Sequence, residues 1–403
     1  MAVQEVFTDA EKSYIRGRLS GVEKAIRENL KSIPGAIAPV PIAGACYQGI
    51  WLEHNQDSLF IADNFPESAW AAQDLFMRRQ RPDGLLPALV RVSGDTFYRQ
   101  IQSVWPFARC AFEIAWKTGR GEEDFRRIYQ AGVAYDNWLG KNRDHRNLGL
   151  VEMFCEFDTG HDKSPRAAGL HPRNPASEPH PGVKDPDAGY MPDNYPAVPV
   201  IAPDLSAMRY QGRKALSELA ALLGEENGAL KWRELAESTK AAIKKYLYDE
   251  EDDFYYDLGP DGKFRKFRTE HLTRLYLNEA VDKKEMRRQY ARYFENPDEF
   301  GTPFPIPSIS VSDPAFVKEL PSNCWGGNTQ ALTALRAMMW LKRYGMDAER
   351  KALLSRWMRA FVQWDSPLPQ ELNPFTGEPI GAQGNYMPTL LLFKMGADLA
   401  LKK

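Results

Sequence analysis

Apolar positions recur at a spacing of three and four residues in segment after segment of this chain. Ile15, Leu19, Val22, Ile26 and Leu30 form one such stripe, opened by Thr8 and Glu11 in the arrangement of a capping box, in which each satisfies a backbone N–H of the first turn. The stretch PESAWAAQDLFMRRQ starts with Pro66, whose fixed φ suits the first helical position, and runs into the turn signal RPDG. Helical patterning continues in SVWPFARCAFEIAWKTG, EEDFRRIYQAGVAYDNWLGKNR, PDLSAMRYQGRKALSELAALLG and GALKWRELAESTKAAIKKYLYD. It resumes in KKEMRRQYARYFEN, NTQALTALRAMMWLKRYG, DAERKALLSRWMRAFVQW and the C-terminal MPTLLLFKMGADLALKK. Alternation of period two is scarce. Its clearest instance is DFYYDLGPDGKFRKF, where Gly259 to Gly262 reads as a hairpin turn.

About a dozen helices in succession, without the strand–helix alternation of a parallel sheet, predict an all-α chain. No consensus repeats at solenoid spacing, and no low-complexity linker divides residues 1–403. One large all-α domain with a short β-hairpin is the expectation, and a toroid of paired helices fits the count. Trp138 and Trp340 fall on amphipathic helices and are assigned to its core, and the acidic run DEEDD at 249–253 is assigned to a solvated helix end. The irregular stretch near 156–203 is longer than connections in compact domains usually are.

Composition narrows the function only by exclusion. A formal net charge of −2 argues against a nucleic-acid footprint, and no apolar run approaches a membrane span. Cys46, Cys110, Cys155 and Cys324 lack paired spacing, and the six histidines form no zinc pattern. Neither a metal nor another cofactor is expected. The N-terminal MAVQEVFTDAEK lacks the features of a secretory signal, which points to the cytoplasm and a small-molecule partner, with a homo-oligomer left open.

Chemistry concentrates in the irregular stretches. YQGIWLEHNQDSLF carries Trp51, Glu53, His54 and Asp57; RRQRPDGLLP carries Asp83 and Gly84; EFDTGHDKSPR carries Asp158, Gly160, His161, Asp162 and Arg166. LPSNCWGGNTQ offers Trp325 and Gly326, and LPQELNPFTGEPIGAQGNY offers Glu371, Asn373, Glu378 and Tyr386. Glycoside hydrolysis needs one carboxylic acid for the leaving oxygen and a second carboxylate for water or the anomeric carbon. Asp162 or Asp158 with Glu371 meets that need, but composition does not single this pair out among 54 acidic residues.

Taken in order, these motifs resemble the family-63 glycoside hydrolases, especially the small bacterial enzymes acting on mannosylglycerate and glucosylglycerate. The likeness runs from about residue 45 to the C-terminus. It implies an (α/α)6 toroid and an inverting reaction on a small α-linked glycoside. Phe157-Asp158-Thr159-Gly160-His161-Asp162-Lys163-Ser164-Pro165-Arg166 is similar to the family's acid loop, which makes Asp162 the general acid. QELNPFTGEP is similar to the stretch carrying the general base, which makes Glu371 that base. HNQDSLF resembles the family's Trp-x-Trp-Asp-Ser-x-Phe, whose Asp binds sugar hydroxyls, so that role falls to Asp57. RPDGLLP and CWGGN match two further loops, bringing in Asp83, Gly84 and Trp325.

The departures from the family concern the substrate. Phe157 stands for Trp, Lys163 for Asn or Asp, Gly326 and Asn328 for Arg and Pro, and Leu372 for an aromatic. His54, Asn55 and Gln56 replace an aromatic-rich approach to Asp57. A cation at Lys163 facing the acid would lower its pKa, the wrong direction for a proton donor, so the expectation is that it points away or that the site is tuned differently. The substrate-binding set expected from the loops is Trp51, His54, Asp57, Asp83, Gly84, Trp105, Asp158, Gly160, His161, Arg166, Trp325, Gly326, Asn373 and Tyr386. Several have plainer readings: Asp158 as the partner of Arg166, Asp57 and Asp83 as loop anchors, His54 and His161 as solvated loop histidines, and Glu378 as a turn residue or substitute base. The loop 167–200 is expected to cover part of the pocket.

Two other functions fit a toroid. Sugar epimerisation or polysaccharide β-elimination takes a proton from carbon and would use His161, His180 or His271. A non-catalytic sugar-binding protein would keep a degenerate pocket.

Overall fold

The computed structural model describes residues 7–45, 47–98, 101–153, 155–168, 200–365, 368–381 and 384–401. The twelve α-helices among them are α1 (Asp9–Glu28), α2 (Asp57–Ile61), α3 (Pro66–Arg78), α4 (Phe107–Lys117), α5 (Glu122–Asn142), α6 (Pro203–Leu222), α7 (Glu226–Leu247), α8 (His271–Leu277), α9 (Lys283–Gln289), α10 (Ala331–Arg343), α11 (Asp347–Trp364) and α12 (Met387–Leu401). The even-numbered helices form an inner ring: α2 meets α4, α4 meets α6, α6 meets α8, α8 meets α10, α10 meets α12, and α12 returns to α2. The odd-numbered helices lie outside, α3 and α5 against α4 and α11 against α12. The expected all-α toroid is the fold observed.

Burial explains which helices the sequence made visible. Outer α1 buries only Ile15, Val22, Ala25 and Ile26, and outer α7 buries Ala229, Trp232, Ala236, Thr239, Ile243 and Leu247, the stripe of a helix with one dry face. Inner α10 buries everything except Lys342 and Arg343, and α8 buries all its residues. Helices this short or this buried offer no polar face to set a period, which is why no helix was expected at α2 or α8. The Thr8–Glu11 capping box and the proline starts of α3 and α6 are present. Trp138 and Trp340 are core.

Connections from inner to outer helices are short, such as 62–65, 118–121, 223–225 and 344–346, whereas those from outer to inner are long. The long connections therefore gather at one end, over the N-termini of the inner helices. Small sheets tie them together. Gly49–Trp51 pairs with Leu89–Arg91, and Thr329–Gln330 pairs with Glu371–Leu372, each antiparallel. The expected hairpin joins Asp257–Leu258 to Phe264–Arg265 and extends through Val200–Ile201 to Glu152–Met153. The acidic run departs from its expectation: Asp253 is buried and takes a two-pronged bond from Arg288 at 2.6 and 2.7 Å, while Lys266 bonds Asp249 and Asp252. The chain turns back into a strand pair there, so these carboxylates brace a turn.

Candidate active site

A cavity of about 400 Å³ opens among the long connections, within the range typical of small-molecule sites. Asp162 lines it, carried on the loop after the 3-10 turn Glu156–Asp158. Its Oδ2 accepts a bond from Asn323 Nδ2 at 3.0 Å, and its carbonyl accepts from Trp325 N at 2.9 Å. Lys163, with φ of 56°, turns its ammonium outward to the Ser322 carbonyl, 2.8 Å away. The cation beside the acid is thus spent on a backbone oxygen at the surface.

Glu371 also reaches Asn323, on the 323–330 stretch. Strand pairing sets it directly across from Gln330, and four donors surround its carboxylate. Oε1 accepts from Cys324 N at 3.1 Å and Gln330 Nε2 at 2.6 Å; Oε2 accepts from Asn323 N at 2.8 Å and Asn328 Nδ2 at 3.0 Å. Burial still raises its pKa above the ordinary glutamate value, with the four bonds pulling the other way. Glu371 sits just behind the wall, while its neighbours Asn323 and Gln370 line it. Asn323 thus touches both carboxylates.

An aromatic side of the cavity is formed by Trp51, Tyr47 and Tyr386, with Tyr47 edge-on to Trp51 at 5.5 Å. His54 Nε2 lies 2.8 Å from Tyr386 Oη, and burial lowers the histidine's pKa to about 4, so the ring is neutral at physiological pH. Trp325 faces the cavity with His161 against its ring at 5.2 Å and the Arg274 guanidinium 5.4 Å from its centroid. Arg91 and Phe97 of the 89–97 hairpin line the rim, the guanidinium 4.7 Å from the phenyl centroid.

Of the residues expected to bind substrate, Trp51, His54, Gly160, Trp325 and Tyr386 line the cavity. The others lie behind it or away from it. Asp158 is fully buried and pairs with Arg143 at 2.7 and 3.1 Å, not with Arg166, and fixes the Ile101 N–H. Arg166 is held by Asp204 and Asp257 beneath the loop. His161 is buried, bonded to Glu270 at 2.8 Å and to Thr159 at 2.9 Å, with its pKa driven down to about 3 chiefly by burial. Asp57 is buried behind Glu53 and bonded to Gln56 at 3.2 Å; burial raises its pKa to about 8.

Trp105 packs in the core beneath Arg343. Asp83 pairs with Arg81 in an exposed turn, and Gly84 presses on the Ala134 carbonyl, where a Cβ would come within 2.2 Å. Gly326 packs against Val317, and Asn373 caps the turn at Phe375 and Thr376. Glu378 is exposed in that turn. The loop 167–200 and His180 fall almost entirely on 169–199, outside the described residues.

Sequence reasoning assigned no role to several wall residues: Glu53, Gln102, Asn323, Gln370, Tyr47 and Arg91. Asn323 and Glu53 stood inside stretches already singled out, so proximity to Trp325 and Trp51 was an available signal. Arg91 and Gln102 had none.

The sequence model of the family described as the mannosylglycerate hydrolase MGH1-like glycoside hydrolase domain matches residues 54–387. The chain belongs to this family. Its toroid is that of the GH63 mannosylglycerate hydrolase from Thermus thermophilus solved with glucose: TM-score 0.72, 17% identity, 94% of this chain and 99% of that one. Neutral trehalase Nth1 from Saccharomyces cerevisiae shares the fold at TM-score 0.66 and 14% identity, over 94% of this chain and 79% of the trehalase. An uncharacterized protein of Borreliella burgdorferi is 29% identical over 127 residues, 31% of this chain, which spans about a quarter (27%) of that relative's length. As a glycoside hydrolase of this family, the chain carries the long connections that present its two carboxylate-bearing loops on one side of the ring.

Proposed function

We propose that this glycoside hydrolase inverts a small α-linked glycoside, with Asp162 as general acid and Glu371 as general base. The observation that carries the reading is Asn323, whose side chain bonds Asp162 and whose backbone N–H bonds Glu371. Two loops far apart in sequence thereby bring a carboxyl to the cavity wall and a second one just behind it. Asp162 donates to the leaving oxygen; Glu371, its proton affinity raised by burial, takes a proton from water. Because protein donors fill both oxygens of Glu371, the water must displace one of them, and Asn323 is the donor on the cavity side. An inverting geometry calls for carboxyls about 6.5–9.5 Å apart once substrate is bound.

The Thermus relative is named for mannosylglycerate, and one of its structures holds D-glycerate. Arg91 on the rim offers an anionic aglycone a partner here, with a glucosyl, mannosyl or related sugar as the glycone. A carbon-acid reaction fits less well: burial lowers the pKa values of His161 and His271 to about 3 and 4, which makes them weak bases, and His271 is tied to Thr269 and the Tyr255 carbonyl. Neither lines the cavity. The test is proton NMR on glucosyl, mannosyl and rhamnosyl glycosides, reading the first-formed anomer, with Asp162→Asn and Glu371→Gln alongside. The expected result is a β-anomer from an α-substrate and a kcat loss of about 10²–10⁴ in each variant. Retention of configuration, or wild-type rates in both variants, would overturn it; binding without turnover would mark a degenerate pocket.

A further inference from the structure

We infer that Glu53, not Asp57, is the carboxylate that reads the hydroxyls of the glycone, an inference that rests on the glycosidase reading above. Asp57 stands where the family resemblance puts the sugar-binding acid, yet it is bonded to Gln56 and withdrawn from the wall. Glu53, one helical turn earlier, takes the wall position. Its Oε1 accepts from Gln102 Nε2 at 2.9 Å and its Oε2 from Arg336 Nη2 at 3.2 Å. A carboxylate has about four acceptor positions, so both oxygens keep capacity toward the cavity, where sugar hydroxyls are the matching donors. Gln102 also lines the cavity, while Arg336 is buried beneath it. Together they fix the carboxylate's orientation before any ligand arrives.

Position along the acid loop says which part of the substrate Glu53 meets. Gly160 passes so close that a Cβ on it would lie 2.5 Å from Glu53 Oε2. Asp162, which must reach the glycosidic oxygen, follows two residues later. A group pressed against that loop on the deep side of the cavity faces the ring being cleaved, whereas Arg91 and Phe97 on the hairpin are left for the aglycone. The second carboxylate of the wall thus becomes a specificity residue: it selects for a hydroxyl placed to donate to it.

The test is calorimetric binding of D-glucose, D-mannose and the monodeoxy analogues of whichever binds, in wild-type protein and in Glu53→Gln. Hydrolysis plays no part in the readout. Wild-type protein should bind one deoxy analogue about 10- to 100-fold more weakly than its parent, as expected for a hydrogen bond to a charged group. Glu53→Gln should bring that ratio to within about threefold while the other analogues keep their ranking. An unchanged ratio in a variant with a wild-type melting curve overturns the role of Glu53 and leaves the glycosidase reading standing. Failure of wild-type protein to bind any sugar overturns the glycosidase reading itself. If Glu53→Gln does not fold, Glu53→Asp, which keeps the charge opposite Arg336 but withdraws it by a methylene, should relax the same ratio.

Discussion

Replacing Gly160 by Ala should damage activity far more than stability. Gly160 has φ of +68°, a region that costs an L-residue about 1–2 kcal/mol. Its new methyl would stand 2.5 Å from Glu53 Oε2 and 2.9 Å from Oε1 and Cδ, so the carboxylate must retreat. That movement strains the bonds from Gln102 and Arg336, each of the charge-assisted kind worth about 1.5–3 kcal/mol. A net loss of about 2–4 kcal/mol is expected. At roughly 2 cal/mol/K of unfolding entropy per residue, a chain of 403 residues then loses about 2–5 °C in Tm. Activity should fall about 100-fold or more, because the shift disturbs the loop of Asp162, which as the proposed general acid has to be placed to within about 1 Å. Gly149→Ala is the control. It has φ of +74° but open space around it, so it bears the backbone cost alone and should keep full kcat/KM. Thermal melts and kcat/KM on the substrate found by NMR decide the matter. Equal activity in the two variants would refute the claim that the Gly160–Glu53 contact shapes the site.

Arg143→Leu should destabilise the fold by about 3–5 kcal/mol, since it strands Asp158, fully buried, without its charge partner; urea unfolding checks this, and a loss below about 1 kcal/mol would contradict the pairing. Stability should fall as pH drops from about 6.5 toward about 4.5. Burial depresses the folded pKa of His54, His161 and His271 to about 4, 3 and 4, so the unfolded chain binds three more protons in that window and acid favours it. Asp57, raised to about 8 by burial, already carries its proton when folded and opposes this by one. Counting these four groups, the net difference grows from about half a proton at pH 6.5 to just under two near pH 5, roughly 2 kcal/mol per pH unit there. Urea midpoints that stay level between about pH 6 and pH 5 would refute it.

Much of the fold was legible because the outer helices declare themselves. Their dry stripes, the Thr8–Glu11 box and the prolines opening α3 and α6 are local features, readable without a partner. The inner helices α2 and α8 and the two- and three-residue strands were not, because burial on all sides or brevity removes any period. Within the site, the loop motifs held Asp162, Trp51, His54, Gly160, Trp325 and Tyr386, which line one cavity, and Glu371 just behind its wall. The same motifs overreached at Asp83, Gly84, Trp105 and Asn373, whose residue types serve turns and cores equally well.

Sequence alone determined the helical class and the order of the irregular loops, since each is written in local pattern, and the resemblance carried by that order supplied the two carboxylates worth testing. Tertiary structure alone decided which carboxylates face the cavity. Asp57 and Glu53 are four residues apart and similar in chemistry, but only Glu53 meets Gln102, Arg336 and the open wall. Lys163, adjacent to Asp162 in sequence, is turned out to Ser322 by its own backbone. The physical reason is the same in both cases. A side chain's charge state and reach depend on what surrounds it in space, and those surroundings come from segments far away along the chain, 49 residues for Gln102 and 283 for Arg336.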